Sequence, residues 1–258
     1  DSLGWDAAIL SQNPGFRPGW FNSSAPSLSL LESFHRGELN SNDCILLIPE
    51  TYLLVDFHQF YGVDLSSLCR VIFNKNAYYT YGNSEVLNST SLSEFYDHPS
   101  VLHVLSISEN THHFLSSNLG LSDQKLTRII NSIEPIFCPQ NTKVNQMHWM
   151  PRKNSDQVKA VSLGIQRCGL PYSSGWKADA LDGLSHSQVA EHLNNAKLFL
   201  SFGHPEGFGL PIAEAMAAGC WVVGYSGGGG DELFRFGASD RIEYGDWSGF
   251  LEAIKQVF

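Results

Sequence analysis

The chain has 258 residues, enough to bury one large core or two of ordinary size, and its 43% hydrophobic and 16% charged residues make a globular composition. It carries 26 Asp and Glu against 16 Lys and Arg, a net charge of −10, so its overall field attracts neither nucleic acid nor anionic headgroups. No apolar run approaches the roughly 18 residues that a membrane-crossing helix needs, so no transmembrane segment is expected.

Along the chain, short apolar runs bounded by turn residues predict buried strands at residues 7–10 (AAIL), 43–49 (DCILLIP), 70–74 (RVIFN), 101–108 (VLHVLSIS), 197–202 (KLFLSF) and 220–225 (CWVVGY). Helical segments separate several of them. Ser185 with Gln188 three residues on forms a capping box before VAEHLNN, and Pro211 opens a second helix that stops at Gly219. Strands alternating with helices predict an α/β fold with parallel sheets covered on both faces.

Residues 135–146 (PIFCPQNTKVNQ) lack periodicity and predict a linker, with a second sheet starting around Met147. The expected division is therefore an N-terminal domain over 1–136 and a C-terminal domain over 137–258. The acidic excess lies mainly in the first: 14 acidic and 6 basic residues there, against 12 and 10 after it.

The five cysteines, Cys44, Cys69, Cys138, Cys168 and Cys220, are odd in number and widely spaced, which signals neither a disulfide framework nor a zinc site. A cytoplasmic location is expected. Sequons at Asn22 and Asn88 carry little weight without a leader in front of them, and the abrupt start at Asp1 suggests that an upstream segment is missing. His58, His98, His103, His112 and His113 form no metal-binding spacing and read as packing or surface residues.

The chemistry concentrates in residues 197–219, KLFLSFGHPEGFGLPIAEAMAAG. A strand there feeds a turn holding Gly203, Gly207 and Gly209, and a helix opens near Pro211. Glycines permit close backbone approach, and the first turn of a helix has unpaired N–H groups, so the turn suits an anion such as phosphate. Glu206 in the turn and Glu214 in the helix can accept hydrogen bonds from hydroxyls. Two acids of this kind fit a ligand rich in hydroxyls, a sugar or a ribose, although acids at a helix start also arise for dipole reasons alone.

The block HPEGFGLPIAEAMAAGCWVVGYSGGGGDEL resembles the Glu-x7-Glu signature of retaining glycosyltransferases of family 4, which have the GT-B architecture of two Rossmann-like domains facing across a cleft. The resemblance implies that Glu206 and the backbone of Gly207, Phe208, Gly209 and Leu210 meet the donor sugar and diphosphate. It also implies that Glu214 binds the nucleotide ribose. WMPRKNSDQ is similar to the family's basic turn after the first strand of the C-terminal domain, so Arg152 and Lys153 are expected to clamp the diphosphate, with Arg152 and Glu206 the catalytic pair. The family's lysine lies several residues beyond the arginine, whereas these two are adjacent.

The front half resembles the family in outline only, at VLSISENTHHFLSSNLGLSDQKLTRIINSIEP. Where many members carry an acceptor-side histidine, this chain has Asn76, which can hydrogen-bond a sugar but cannot act as a base. Tyr78, Tyr79 and Tyr81 are candidates for stacking on an acceptor, although packing is the commoner use of such rings. GYSGGGGDELF matches a dinucleotide fingerprint only in part, since Glu232 replaces its last glycine; there the glycines are expected to admit the donor, with Asp231 or Glu232 capping the next helix.

What the resemblance implies is a retaining glycosyltransferase that moves a sugar from a nucleotide-sugar donor to an unidentified acceptor, with no metal and no other cofactor. The alternatives are a nucleotide-sugar epimerase of the same architecture and a non-catalytic nucleotide-sugar binder.

Overall fold

A computed structural model describes residue 4 and residues 6–17, 24–40, 42–52, 55–82, 95–169, 175–236 and 239–257. The sequons at Asn22 and Asn88 lie outside the described residues. Two compact units form: one from Asp1–Asn74, Tyr79–Leu105 and Leu121–Thr127, the other from Lys75–Tyr78, Ser106–Gly120 and Arg128–Phe258.

In the first unit β1 (Ile9–Ser11) pairs in parallel with β2 (Ser27–Ser29). A four-stranded sheet has the order β3 (Ile45–Pro49), β4 (Cys69–Asn74), β5 (Val101–Ser106), β6 (Leu126–Arg128), with Leu47 opposite Val71 in the parallel β3–β4 pair. Two short helices accompany them, α1 (Leu30–His35) capped by Ser29 and α2 (Phe57–Tyr61) capped by Asp56. Leu30, Val63, Leu65 and Leu68 make a small core beneath them. At the end of β4, buried Asn74 donates to Tyr96 Oη at 2.7 Å and to Thr80 Oγ1 at 3.1 Å. The helix α3 (Ala77–Gly82) follows.

The second unit carries α4 (Glu109–Asn118) and then a five-stranded sheet ordered β11-β10-β9-β7-β8. Its strands are β7 (Val144–Trp149), β8 (Lys177–Ala180), β9 (Ala196–Ser201), β10 (Trp221–Gly224) and β11 (Ser239–Arg241), and each pairs with its neighbours in parallel. The helices are α5 (Ser155–Arg167), α6 (His186–Asn195), α7 (Leu210–Ala217) and α8 (Trp247–Val257). Alternation along β9 divides the core in two. Leu198 and Leu200 pack with Val161 and Ile165 of α5 and with Phe250 and Ile254 of α8, whereas Phe199 packs with Leu193 of α6 and with Ile212 and Ala215 of α7. Helices therefore cover both faces of a parallel sheet, as the alternating pattern predicts.

Each of the six predicted apolar runs overlaps a strand, although Ala7 and Ala8 precede β1 and β5 stops at Ser106, and both predicted helix starts are found: Ser185 and Gln188 make the full capping box, and Pro211 lies in the first turn of α7. The second sheet begins at Val144, three residues before the expected point, because Val144, Asn145 and Gln146 extend β7 beside β9. The runs that the apolar pattern passes over are β2, β6, β8 and β11. β8 and β11 are edge strands reading KADA and SDR, where solvent on one side removes the need for apolar side chains.

Among the described residues no helix is long and apolar enough to cross a membrane. All five cysteines are free.

Candidate active site

Three strand ends of the second unit converge on the glycine-rich turn. β7 ends at Trp149 and runs through a turn into α5, which places Arg152 and Lys153; β9 ends at Ser201 and runs into the turn 203–209; β10 ends at Gly224 and runs into the glycines 227–230. Carboxyl ends of neighbouring parallel strands are where open α/β sheets place ligand sites. The turns are joined by backbone bonds: Glu206 N donates to Gly227 O at 2.8 Å, and Gly229 N donates to Glu206 O at 3.0 Å.

A pocket opens among these ends, lined by Met150, Arg152, Lys153, Gly203, Glu206, Gly209, Pro211 and inner residues of β9. Lys153 Nζ stands 2.9 Å from Glu206 Oε1 and also donates to Pro205 O at 3.1 Å. Both side chains are largely withdrawn from solvent, 31% and 18% exposed, so the pair is less screened than a surface ion pair. Arg152 is exposed and has no hydrogen-bond or ion-pair partner among the described residues. The start of α5 fits this arrangement: Asn154, at φ 53°, caps no N–H with its side chain but donates Nδ2 to Phe202 O and His204 O, tying the basic turn to the β9 turn.

Gly209 precedes α7 at φ 85°, a conformation that favours glycine, and no side chain caps the helix. Pro211 has no N–H and Ile212 N and Ala213 N donate to Gly209 O, so Leu210 N is the N–H of the first turn that neither a cap nor that carbonyl takes, between the pocket-lining Gly209 and Pro211. Phe208 is buried and Leu210 is half-exposed. At Gly207 a Cβ would lie 1.7 Å from Lys75 O and 3.0 Å from Asn76 Cα, so the backbone of Lys75 and Asn76 approaches on the side where a side chain would stand.

That approach brings Asn76 beside the turn. It is buried, and its Oδ1 accepts from Tyr78 N at 3.0 Å, which commits the amide oxygen to the start of α3. Tyr78 and Tyr79 are partly exposed, and nothing is described for the side chain of Tyr81.

Glu214 does not line the pocket that holds Glu206. Its side chain is 14% exposed and accepts from His186 Nε2 at 3.2 Å; burial pushes its carboxyl above the ordinary range, with the imidazole opposing. The two glutamates thus occupy separate surroundings. The sequence carries no signal for His186, because its partner is 28 positions away and no motif joins them.

The expected cap by Asp231 or Glu232 of the following helix is corrected. Glu232 turns instead to α4, accepting from Glu109 N at 2.8 Å and from Arg128 at 2.7 Å, while Asp231 is taken by Ser226 and Arg241. A buried carboxylate is stabilised by charged and backbone donors together, and at Glu232 these are the Arg128 guanidinium and the Glu109 N–H. Among the described residues no group of three or more His, Cys, Asp or Glu is arranged to hold a metal ion.

Residues 177–258 match the family model described as Glycosyl transferases group 1. The match begins at β8 and takes in both glutamates, though not Arg152 or Lys153. An alpha-1,6-glucosyltransferase of Actinobacillus pleuropneumoniae serotype 7 (strain AP76) is 34% identical over 80 residues, which are 30% of this chain and 24% of that protein's length. The chain therefore spans about a quarter of that relative.

Among solved structures, sucrose-phosphate synthase from Thermosynechococcus elongatus is similar over 99% of this chain and 80% of its own, with a TM-score of 0.69 at 12% identity. WaaG, a glycosyltransferase involved in lipopolysaccharide biosynthesis, is similar over 99% of this chain and 82% of its own, with a TM-score of 0.60 at 11% identity. At such identities the likeness is one of fold, and that fold is the α/β GT-B architecture with parallel sheets.

Proposed function

We propose that the protein is a retaining glycosyltransferase acting on a nucleotide-sugar donor. The observation that carries this reading is the pocket in which Arg152, Lys153 and the uncapped start of α7 face Glu206, with a second, separately held carboxylate at Glu214. The family match over 177–258 and the glucosyltransferase relative support it.

In this reading Arg152, Lys153 and the Leu210 N–H at the start of α7 hold the donor diphosphate. Glu206 and the backbone of residues 207–210 hold the transferred sugar, and Glu214 holds the ribose hydroxyls. As the acceptor hydroxyl oxygen bonds to the anomeric carbon, the bond from that carbon to the phosphate oxygen breaks and its electron pair leaves with the nucleoside diphosphate. The acceptor proton passes to that phosphate oxygen on the same face, so configuration is retained. Charge gathers on the leaving diphosphate, where preorganised donors lower the barrier without a metal ion. The acceptor is a hydroxyl of unassigned chemical class, and the expected site of action is the cytoplasm.

Nucleotide release from UDP, GDP and ADP sugars tests the reading. Turnover of one donor that disappears in Glu206→Ala supports it, and failure of every nucleotide sugar to shift the melting temperature overturns it. Asn76, buried and unable to act as a base, favours a second reading of donor binding without transfer. Saturable binding with no release in the same assay would select it.

A further inference from the structure

Glu214 sits largely buried with one hydrogen-bond partner among the described residues, His186, whose Nε2 is 3.2 Å from Glu214 Oε1. No described residue engages its other oxygen. A carboxylate held by one oxygen and open at the other can accept from a ligand hydroxyl without rotating, and a fixed acceptor loses less entropy on binding than a mobile one.

The imidazole itself is held from several sides. His186 is the first residue of α6, whose start is locked by the reciprocal Ser185 and Gln188 capping box. Its Nδ1 lies 3.7 Å from Glu134 Oε1, and the ring meets Phe137 edge-on with centroids 5.1 Å apart. Two segments distant in the chain, the start of α6 and the stretch Glu134–Phe137, thus hold one ring, and that ring holds one carboxylate. Burial alone favours the neutral acid, a poorer acceptor, and the imidazole opposes it.

We infer that His186 is the positioning residue for Glu214 and that the pair makes the site select nucleotides with free ribose hydroxyls. The inference rests on the proposed assignment of Glu214 to the ribose. Sites built to bond a hydroxyl reject analogues lacking it, because the site's own polar group is then left unpaired.

Isothermal titration of the full chain with UDP, GDP and ADP, and with the 2′,3′-dideoxy counterpart of whichever binds, tests it. The wild type is expected to prefer the ribonucleotide by about tenfold or more. His186→Ala should reduce that preference to about threefold or less, and His186→Gln, which restores an N–H at the reach of Nε2, should recover most of it. Adding Glu214→Ala to His186→Ala should change little further, the mark of two residues acting as one unit. Undiminished preference in folded His186→Ala, with loss in Glu214→Ala, overturns the role of His186 while the proposed function stands. Absence of binding by all three nucleotides to the wild type removes the proposed function, and this inference with it.

Discussion

Lys153 and Glu206, 53 positions apart in the sequence, form a 2.9 Å ion pair at the mouth of the turn proposed to take the donor. The ammonium is therefore already engaged with the carboxylate that a sugar would need. Lys153→Met should weaken nucleoside diphosphate binding by about tenfold, through loss of one charge-assisted contact, and lower stability by about 1–3 kcal/mol because Glu206 is left partly buried and unpaired. Titration calorimetry and urea unfolding of the variant check the two effects separately.

Gly207 is expected to tolerate no side chain. A Cβ at this position meets the carbonyl oxygen of Lys75 at 1.7 Å, a backbone atom that cannot rotate away. Gly207→Ala should therefore cost more than about 2 kcal/mol, by forcing apart the two backbone segments. Chemical denaturation of the variant, with unchanged m-value as the control, gives the number.

The raised carboxyl of Glu214 predicts a pH-dependent stability. The folded protein holds this proton more tightly than the unfolded chain, whose carboxyl sits near the ordinary 4.5, so this group's contribution weakens as pH rises above that value. Glu214→Gln removes the titration while keeping an acceptor for His186. The variant should gain stability relative to the wild type between about pH 4.5 and pH 7, and the gain should close as pH falls to 4.5, as followed by melting temperature in steps of pH.

Cys220, the residue before β10, is buried, its Sγ donates to the carbonyls of Leu193 and Ala196, and burial pushes its thiol up to about 11. Cys138 and Cys168 are exposed. At pH 8 a thiol reagent should modify both exposed cysteines and spare Cys220 until the chain is denatured, since the reactive thiolate is scarce and shielded there. Peptide mass mapping before and after guanidinium addition reads the difference.

The inner strands were legible because burial on both faces forces unbroken apolar runs, as in KLFLSF and CWVVGY. The starts of α6 and α7 were legible because a capping box and an N-terminal proline act over three or four residues. Edge strands such as β8 and β11 were not, since a strand open on one side carries no compulsory pattern.

The sequence by itself determined the α/β class and singled out the residues gathered around the glycine turn, because turn chemistry and helix starts are written locally. Only the tertiary structure decided what those residues touch. It paired Lys153 with Glu206 and Glu214 with His186, filled the space at Gly207 with the backbone of Lys75, and turned Glu232 toward Arg128. The physical reason is that a charge or a vacant volume is satisfied by whatever the fold brings near it, and separations of 28 to 132 positions leave no periodic trace in a chain.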